Sequence, residues 1–362
     1  MRDPASRRRA AAGLLLLGTL ACARDATAPE RAVGTAVRAG SERGPDGAAG
    51  REGDETADVV TFEDFTLGAI DGQHDWQATG ALGSAASGAC AVYDHAIADP
   101  SLLVAPAYLP ARFGRRSLRI SNAVTSGCYS DQTFSSRSAD VARARRAVST
   151  STDGRTEYAL PGARLKNHFE AEWVVLSAEP TAWQPGLEVV ASPARGDDHR
   201  MSWVQMADWA DGLAIVFAER SDPRAPGAFQ RTIVARGLDR SRPHGIRLTM
   251  DFAEGQGNDV VRVYVDGVLR HVGTSWETYY HFDPNGRANF NGATPAVNRL
   301  MFRTGSDTHR GVPGDPAPGT RGRGFLIDRV RVTVSSVTRA SEAADRREGR
   351  QDEPPRVGRA AP

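Results

Sequence analysis

The chain has 362 residues, of which 45 are Lys or Arg and 44 are Asp or Glu, so its net charge is only +1. This balance lacks the strong basic bias of nucleic-acid-binding proteins, and no nucleic-acid partner is predicted. Hydrophobic residues make up 40% of the chain, which is enough for a large core. Their uneven distribution divides the sequence into a leader, a linker, one domain and a tail.

Residues 1–22 have the layout of an export signal. Arginines precede a short apolar run, and small residues precede Cys22, as in a secretory signal peptide. The run is too short to span a bilayer as a helix. The segment TLAC, ending at Cys22, resembles a bacterial lipobox, although its Leu lies one position closer to the Cys than usual. We therefore expect an exported cell-envelope protein held to a membrane by a lipid on Cys22. An ordinary cleaved signal peptide and an uncleaved anchor are the alternatives.

The two other cysteines, Cys90 and Cys128, form an even pair once Cys22 carries a lipid. A disulfide is the default for such a pair in an oxidising compartment. Closing a loop of roughly 38 residues would stabilise the fold by roughly 4 kcal/mol in the chain-entropy description. Two buried free thiols or a two-cysteine metal site are the alternatives.

Two flanking segments are expected to be disordered. Residues 23–57 are rich in Ala, Gly, Arg and acids and contain no aromatic residue, and residues 337–362 have a similar composition. Such segments cannot bury enough apolar surface to offset the entropy lost on ordering. We interpret them as a tether and a tail on either side of one domain, residues 58–336.

Inside this domain, short alternating apolar runs recur about every ten to fifteen residues, separated by Gly, Pro, Asp and Asn. No run shows the periodicity of an amphipathic helix. This pattern predicts an all-β fold, specifically an antiparallel β-sandwich or jelly roll. The predicted strands lie in residues 117–124, 168–178, 186–192, 200–207, 212–220, 229–236, 245–252, 298–305 and 325–334.

The clearest hairpin is VRVYVDGVLRHV, residues 261–272. Its Asp266-Gly267 pair favours a two-residue turn with positive φ. Such a turn fixes the pairs across the hairpin: Val265 with Val268, and Val261 with Val272. Arg270 then falls among the valines of one face. Either the turn is longer, or a bulge redirects Arg270, or that face is only half covered.

Three segments together resemble the concanavalin A-like lectin/glucanase sandwich: FEDFTLGAIDGQHDW (62–76), the hairpin through Trp276, and GFLIDRVRVTV (324–334). The hairpin is most similar to laminin-G-like bacterial modules. The resemblance covers most of residues 58–336 and implies a concanavalin A-like jelly roll. The same ends also resemble carbohydrate-binding jelly rolls, in which a Glu of the first strand and an Asp of the last share a structural calcium. That resemblance implies Ca²⁺ at Glu63 and Asp328; exposed strand residues are the alternative.

Catalytic motifs are missing from the sequence. Glucanases of this fold would carry Glu-x-Asp-x-x-Glu on one strand, so that two carboxylates face one sugar. The nearest match is Glu170 and Glu172, which we interpret as a solvent-facing strand edge. The sequence contains no GxSxG and no HExxH. Whether the protein is an enzyme stays uncertain, and binding without cleavage is favoured.

Two aromatic segments are candidate ligand-binding surfaces. Flat rings stack on the C–H faces of sugars, while carboxylates and amides bind the hydroxyls. ADWADG and TSWETYYH combine both kinds of side chain. The alternative is that their rings pack loops against the sandwich, and Trp203, in mid-strand, is expected in the core. The predicted ligand-binding residues are Asp208, Trp209, Asp211, Trp276, Glu277, Tyr279, Tyr280 and His281.

These observations predict an exported lipoprotein whose lectin-like β-sandwich binds a glycan or another surface polymer. The step from sandwich to glycan rests on analogy of fold, and one fold serves many functions. A diverged polysaccharide hydrolase or lyase is one alternative. A structural or protein-adhesion module is the other.

Overall fold

The computed structural model describes ten stretches of the chain, all within one compact unit, Glu55–Pro362. The predictions for Cys22, Cys90 and Cys128 lie outside these stretches. The leader, the tether and the tail beyond Val337 also lie outside these stretches, so the predictions for them are not tested. The described stretches are 59–78, 93–111, 113–125, 132–143, 164–194, 202–220, 229–253, 257–282, 296–304 and 323–337.

The described chain is almost entirely strand. Its helical elements are two 3₁₀ turns, Pro100–Leu102 and Pro106–Tyr108, and a π-helical turn, Thr278–Phe282. None of the helices in the described stretches has the length and apolar character needed to cross a membrane. The strands are β1 (Gln77–Ala78), β2 (Tyr93–Ala98), β3 (Ser117–Thr125), β4 (Gln132–Phe134), β5 (Val141–Ala142), β6 (Leu165–Lys166), β7 (His168–Ser177), β8 (Glu188–Ala194), β9 (Trp203–Trp209), β10 (Gly212–Glu219), β11 (Gln230–Leu238), β12 (His244–Asp251), β13 (Val260–Val265), β14 (Val268–Gly273), β15 (Arg299–Thr304) and β16 (Phe325–Ser335).

These strands form two seven-stranded antiparallel sheets. The first sheet has the order β1-β4-β15-β8-β9-β10-β11, and the second has the order β14-β13-β12-β7-β16-β3-β2. A short parallel pair, β5 and β6, stands apart from both. The predicted all-β antiparallel sandwich is confirmed, and each predicted run overlaps one of these strands.

Alternate residues of the two sheets meet in one continuous core. Val204 and Phe217 of the first sheet and Phe169 and Val263 of the second are fully buried in it. Burying each such side chain contributes about 1.5–3 kcal/mol relative to leaving it in water. Because side chains alternate along a strand, the neighbours of these residues must point away from the core. The pairing register therefore defines two outer faces.

The start of the domain is fastened to the last strand. Val60 and Val330 exchange backbone hydrogen bonds of 2.8 and 3.0 Å. Directly afterwards Phe62, with a positive φ of 62°, packs its ring against Phe65 and Trp76 at centroid distances of 5.1 and 5.2 Å. The Val60–Val330 bridge thus joins the chain just before the FEDF segment to the closing strand.

The hairpin between β13 and β14 has the predicted two-residue turn, with φ of 53° at Asp266 and 78° at Gly267. Val265 pairs with Val268 as expected. Beyond this the register shifts by one residue at a bulge, which takes Arg270 out of the pairing. The predicted pairing of Val261 with Val272 is therefore wrong. The shifted pairs are Val263 with His271, and Val261 with Gly273.

Gly212 begins β10 at a place where only glycine fits. Its φ is 137°, and a Cβ there would lie 2.7 Å from the backbone of both Gly237 and Leu238. We expect Gly212→Ala to lower the free energy of unfolding by about 1–3 kcal/mol, measured by chemical denaturation. Gly245→Ala is the control, because a Cβ at Gly245 meets nothing within 4 Å. Equal stability of the two variants would contradict this account.

Candidate functional site

A row of side chains crosses the outer face of the first sheet. The register pairs Gln132 with Arg303, Arg303 with Val190, Val190 with Gln205, Gln205 with Val216, and Val216 with Ile233. Neighbouring strands lie about 4.8 Å apart, so the backbones of Arg303 and Gln205 are about 10 Å apart across β8. The row brings one guanidinium and two amides together on a sheet that is otherwise rich in small and apolar residues.

The next row adds an indole ring and a second guanidinium. Trp203 pairs with Ala218, and Ala218 pairs with Arg231. Arg231 donates a hydrogen bond to the Gln205 side-chain oxygen, and the Arg303 guanidinium lies 5.9 Å from the centre of the Trp203 ring. We call Trp203, Gln205, Arg231 and Arg303 the outer-face cluster. By register Trp203 points to the outer face, but it is half-buried and packs against the core, so the expectation of core packing is confirmed in part.

The outer-face cluster is enclosed at one end and open at the other. Gln205 and Arg303 are 5% and 1% exposed, whereas Ile233 at the β11 end is 40% exposed and Arg231 is also exposed. The Gln205 amide nitrogen is buried and has no hydrogen-bond partner among the described residues. A buried amide donor without a partner costs free energy, and a bound ligand can remove that cost.

The outer face of the second sheet carries ion pairs between neighbouring strands. Arg331 lies 2.9 Å from both Glu170 and Glu172, and Arg247 lies 3.8 Å from Glu172. β7, which carries both acids, is central in its sheet rather than an edge. Glu170 and Glu172 do face outwards and are half-buried, but the interpretation that they form a strand edge is wrong. They form the middle of an ion-pair ladder.

The predicted residues Asp208, Trp209 and Asp211 lie at the other end of β9. Along the strand, Trp209 lies about 20 Å from Trp203. Trp276 of the second predicted segment packs against Trp203, so the two predicted segments do not form one site. Asp208 is buried and accepts hydrogen bonds from Arg240 at 2.6 Å and from the Gln184 backbone at 3.0 Å. Burial raises the pKa of Asp208, although these two partners partly offset the effect. Its carboxylate is thus occupied by the protein itself.

Trp209 and a tryptophan that sequence reasoning missed form a small aromatic surface here. The Arg236 guanidinium lies 5.1 Å from the Trp209 ring centre and 2.7 Å from the Asp211 carboxylate. Trp183 is 49% exposed, and its indole N–H donates to the Asp208 backbone at 2.9 Å. The available signal was an indole in a Pro- and Gly-containing loop, TAWQPG.

The second predicted segment packs against the first sheet. Trp276 is 5% exposed, donates to the Ala218 backbone at 2.9 Å, and packs against Trp203 at 5.1 Å and Phe229 at 4.4 Å. Tyr280 is also buried, and Tyr279 is half-buried. This is the packing role that sequence analysis kept as the alternative, and ligand contact by these rings stays a prediction. The side chain of His281 lies outside the described part of the chain.

Glu277 belongs to a buried pair of acids. Ser275 Oγ accepts from the Glu277 backbone at 3.0 Å and donates to the Asp259 carboxylate. Burial raises the pKa of Asp259 to about 6. Burial, and then repulsion from Asp259, raise the pKa of Glu277 to about 8. Glu277 is therefore mostly protonated at neutral pH and contributes little negative charge.

The structure brings the two predicted calcium ligands, Glu63 and Asp328, into electrostatic contact. Burial raises the pKa of Asp328 to about 6, and repulsion from the Glu63 carboxylate adds a smaller increase. Glu63 lies tightly against Gly114, where a Cβ would come within 1.7 Å of its carboxylate oxygen. Two repelling carboxylates suit a divalent cation. The described residues contain no group of three or more His, Cys, Asp or Glu side chains that could hold a metal ion. Further ligands of a calcium ion here would therefore be carbonyl oxygens or waters.

Glu277 makes stability depend on pH. A carboxyl whose pKa is raised from 4.5 to about 8 destabilises the fold increasingly as pH rises through this range. We expect Glu277→Gln to have the same melting temperature as the parent chain at pH 4 and a melting temperature at least roughly 2–4 °C higher at pH 9. Thermal unfolding measured across this range checks the result, with Glu172→Gln as the control. A gain that does not vary with pH would contradict the assignment.

Comparisons with known proteins show similarity of fold alone. No protein-family model matches the chain, and no curated protein matches its sequence. Among 136 matching chains of solved structures is an endo-β-1,4-glucuronan lyase from Trichoderma reesei, at 12% identity and a TM-score of 0.36, covering 67% of this chain and 88% of that one. An alginate lyase from Pseudomonas aeruginosa matches at 11% identity and a TM-score of 0.30, covering 49% of this chain and 72% of that one. The CBM40 of the Ruminococcus gnavus IT-sialidase, bound to α2,3 sialyllactose, matches at 14% identity and a TM-score of 0.26, covering 50% of this chain and 83% of that one. Both lyases and carbohydrate-binding domains thus occur among the similar structures.

Proposed function

We propose that the protein is an exported, lipid-anchored component of the cell envelope whose β-sandwich binds a glycan or another surface polymer without cleaving it. The outer-face cluster is the observation that carries the binding part of this proposal, and export and anchoring rest on the sequence that ends at Cys22. It lies on one sheet face, joins the Trp203 ring to guanidinium and amide groups, and is open at the β11 end.

The composition of the outer-face cluster suits a sugar. Hydroxyl groups both donate and accept hydrogen bonds, and the amide of Gln205 can do both as well. The exposed part of the half-buried Trp203 ring supplies an apolar surface against which a pyranose can pack. The row from Ile233 to Arg303 runs across the strands, so an extended chain of sugars can lie along it.

The same face favours binding over hydrolysis. Glycoside hydrolysis uses a pair of carboxylates on opposite sides of the scissile bond. Among the described outward-facing residues of the first sheet, the register places a single carboxylate, Glu188, beside Ala207. A lyase that uses other groups at this face would differ from a binding protein in releasing fragments from the polymer.

A glycan and polysaccharide array, probed with the full chain, tests the proposal. We expect binding by the parent chain and a loss of at least about tenfold in affinity for Gln205→Leu, since the amide that faces the ligand is removed. Thr333→Val, on the second sheet, is the matched control and should bind normally. Circular dichroism confirms that each variant is folded.

Two other outcomes would contradict this function. Absence of binding to any glycan by the folded parent chain would leave the structural or adhesion module as the better hypothesis. Release of fragments from a bound polymer, lost in Gln205→Leu, would show an enzyme at the same face.

We also propose a structural Ca²⁺ ion held by Glu63 and Asp328 at the junction of the first segment with β16. The cation would relieve the repulsion that contributes to the raised pKa of Asp328. Because Ca²⁺ binds the ionised carboxylate, its stabilising effect should be full above about pH 7 and should fade as pH falls below 6.

Thermal unfolding in millimolar Ca²⁺ and in a chelator measures this effect. We expect Ca²⁺ to raise the melting temperature at pH 7.5, and Glu63→Gln to abolish the increase. Asp64→Asn changes a neighbouring exposed acid and should keep it. An equal response to Ca²⁺ in the parent chain and Glu63→Gln would contradict the site.

A further inference from the structure

We propose that Asp259 and Glu277 together bind a divalent cation, and that this cation is Ca²⁺. Asp259 stands just before β13, and Glu277 lies in the segment that follows β14. The site is separate from the one proposed at Glu63 and Asp328, and it does not depend on glycan binding. The proposal follows from the burial of the two acids, from an oxygen atom without a partner, and from the charges around them.

Two hydrogen-bond donors hold the Asp259 carboxylate in place. Asp259 is 3% exposed and Glu277 is 6% exposed. The Ser275 hydroxyl links the two acids, because it donates to the Asp259 carboxylate and accepts from the Glu277 backbone N–H at 3.0 Å. The Ala253 backbone N–H donates to the other Asp259 oxygen at 3.0 Å. Both acids are therefore fixed in one enclosed region, where the segment after β14 meets the start of β13.

The Glu277 carboxyl has an oxygen atom without a partner. Glu277 Oε2 is buried and makes no hydrogen bond within the described part of the chain, and the same is true of the hydroxyl of the next residue, Thr278. A buried polar atom without a partner costs free energy, so such atoms in a native fold require an explanation. An ion bound at Glu277 would provide the partner that Oε2 lacks.

The charge of the two acids is not compensated by a basic side chain from the described stretches. Burial raises the pKa of Asp259 to about 6. Burial, and then repulsion from Asp259, raise the pKa of Glu277 to about 8. Asp251 provides the comparison within the same region. His168 Nδ1 lies 2.6 Å from its carboxylate and Arg262 donates to it, and these partners hold the pKa of Asp251 below its ordinary value despite burial.

A proton compensates the pair less completely than a cation does. Protonation of Glu277 removes one charge, but Oε2 still has no hydrogen-bond partner. A divalent cation would neutralise both carboxylates and would contact this oxygen as well. The destabilisation at high pH predicted above for Glu277 is that of the protein without metal, and a bound cation would remove it.

The available ligand atoms favour Ca²⁺. Carboxylate, hydroxyl and carbonyl oxygens are hard ligands, and Ca²⁺ accepts many of them in a flexible arrangement. Mg²⁺ requires nearly ideal octahedral geometry and usually keeps several of its waters. The enclosure of Asp259 and Glu277 leaves little access for a hydrated ion. The Ser275 hydroxyl, with carbonyl oxygens or a water, would complete the coordination.

Isothermal titration calorimetry with Ca²⁺ tests the site on the full chain carrying Glu63→Gln, which removes the other proposed calcium site. We expect one Ca²⁺ to bind, and about one proton to be released at pH 7, because the Glu277 carboxyl must ionise. Titrations in buffers of different ionisation enthalpy measure this release. Adding Glu277→Gln should weaken binding at least about tenfold. Adding Glu172→Gln is the matched control and should leave the affinity unchanged.

Asp259→Asn should weaken binding as Glu277→Gln does. If Asp259→Asn does not fold, Glu277→Gln still decides, since it keeps the size of the side chain and removes the repulsion. If the Glu63→Gln chain does not fold, the same variants are made in the parent chain.

Three results would overturn the proposal. The first is no binding of millimolar Ca²⁺ at pH 8 by the folded Glu63→Gln chain, and the second is equal affinity with and without Glu277→Gln. The third is binding without proton release at pH 7, because the ion would then not involve Glu277. Tighter binding of Mg²⁺ than of Ca²⁺ would overturn the assignment of the ion.

Discussion

The alternation of side chains along each strand is the constraint on which the rest of this structure depends. A strand that buries Val204 and Met206 must place Trp203 and Gln205 on the opposite face. The core of the sandwich therefore determines which residues face outwards, and the pairing register then aligns them across strands. The outer-face cluster is assembled from three separate strands, β9, β11 and β15, by this rule alone.

The two outer faces show two ways of placing arginine on a sheet. Removing a guanidinium from water costs free energy unless other groups compensate. On the second sheet, carboxylates on adjacent strands compensate and leave a neutral, self-contained surface. On the first sheet, Arg303 lies over the Trp203 ring, and Arg231 donates a hydrogen bond to the Gln205 side-chain oxygen.

The fold could be predicted from the sequence because its signals are local. Alternating runs identify strands, and Asp266-Gly267 identifies a turn, without knowledge of distant residues. The functional surface could not be identified in this way. Whether Arg303 in NRLMFRTG points inwards or outwards depends on its pairing with Val190, more than a hundred positions earlier in the chain.

The same limitation applies to the aromatic residues. Trp276 and Trp209 look alike in sequence, since both lie in short segments rich in acids and small polar residues. Trp276 is buried because Ala218, Trp203 and Phe229 surround it, and the local sequence specifies none of these contacts. An arginine within an apolar strand was the more informative signal for the outer face, and an isolated loop tryptophan was the less informative one.

The bulge at Arg270 also affects how the protein avoids associating with itself. β14 is the last strand of its sheet, and it exposes Val268, Leu269 and Val272. An apolar strand at an edge is a template on which another chain can add a strand. The bulge interrupts the regular spacing of backbone donors and acceptors along this strand, and it places a charged residue at the interruption. An irregularity of one residue thus protects the border of the sheet against aggregation.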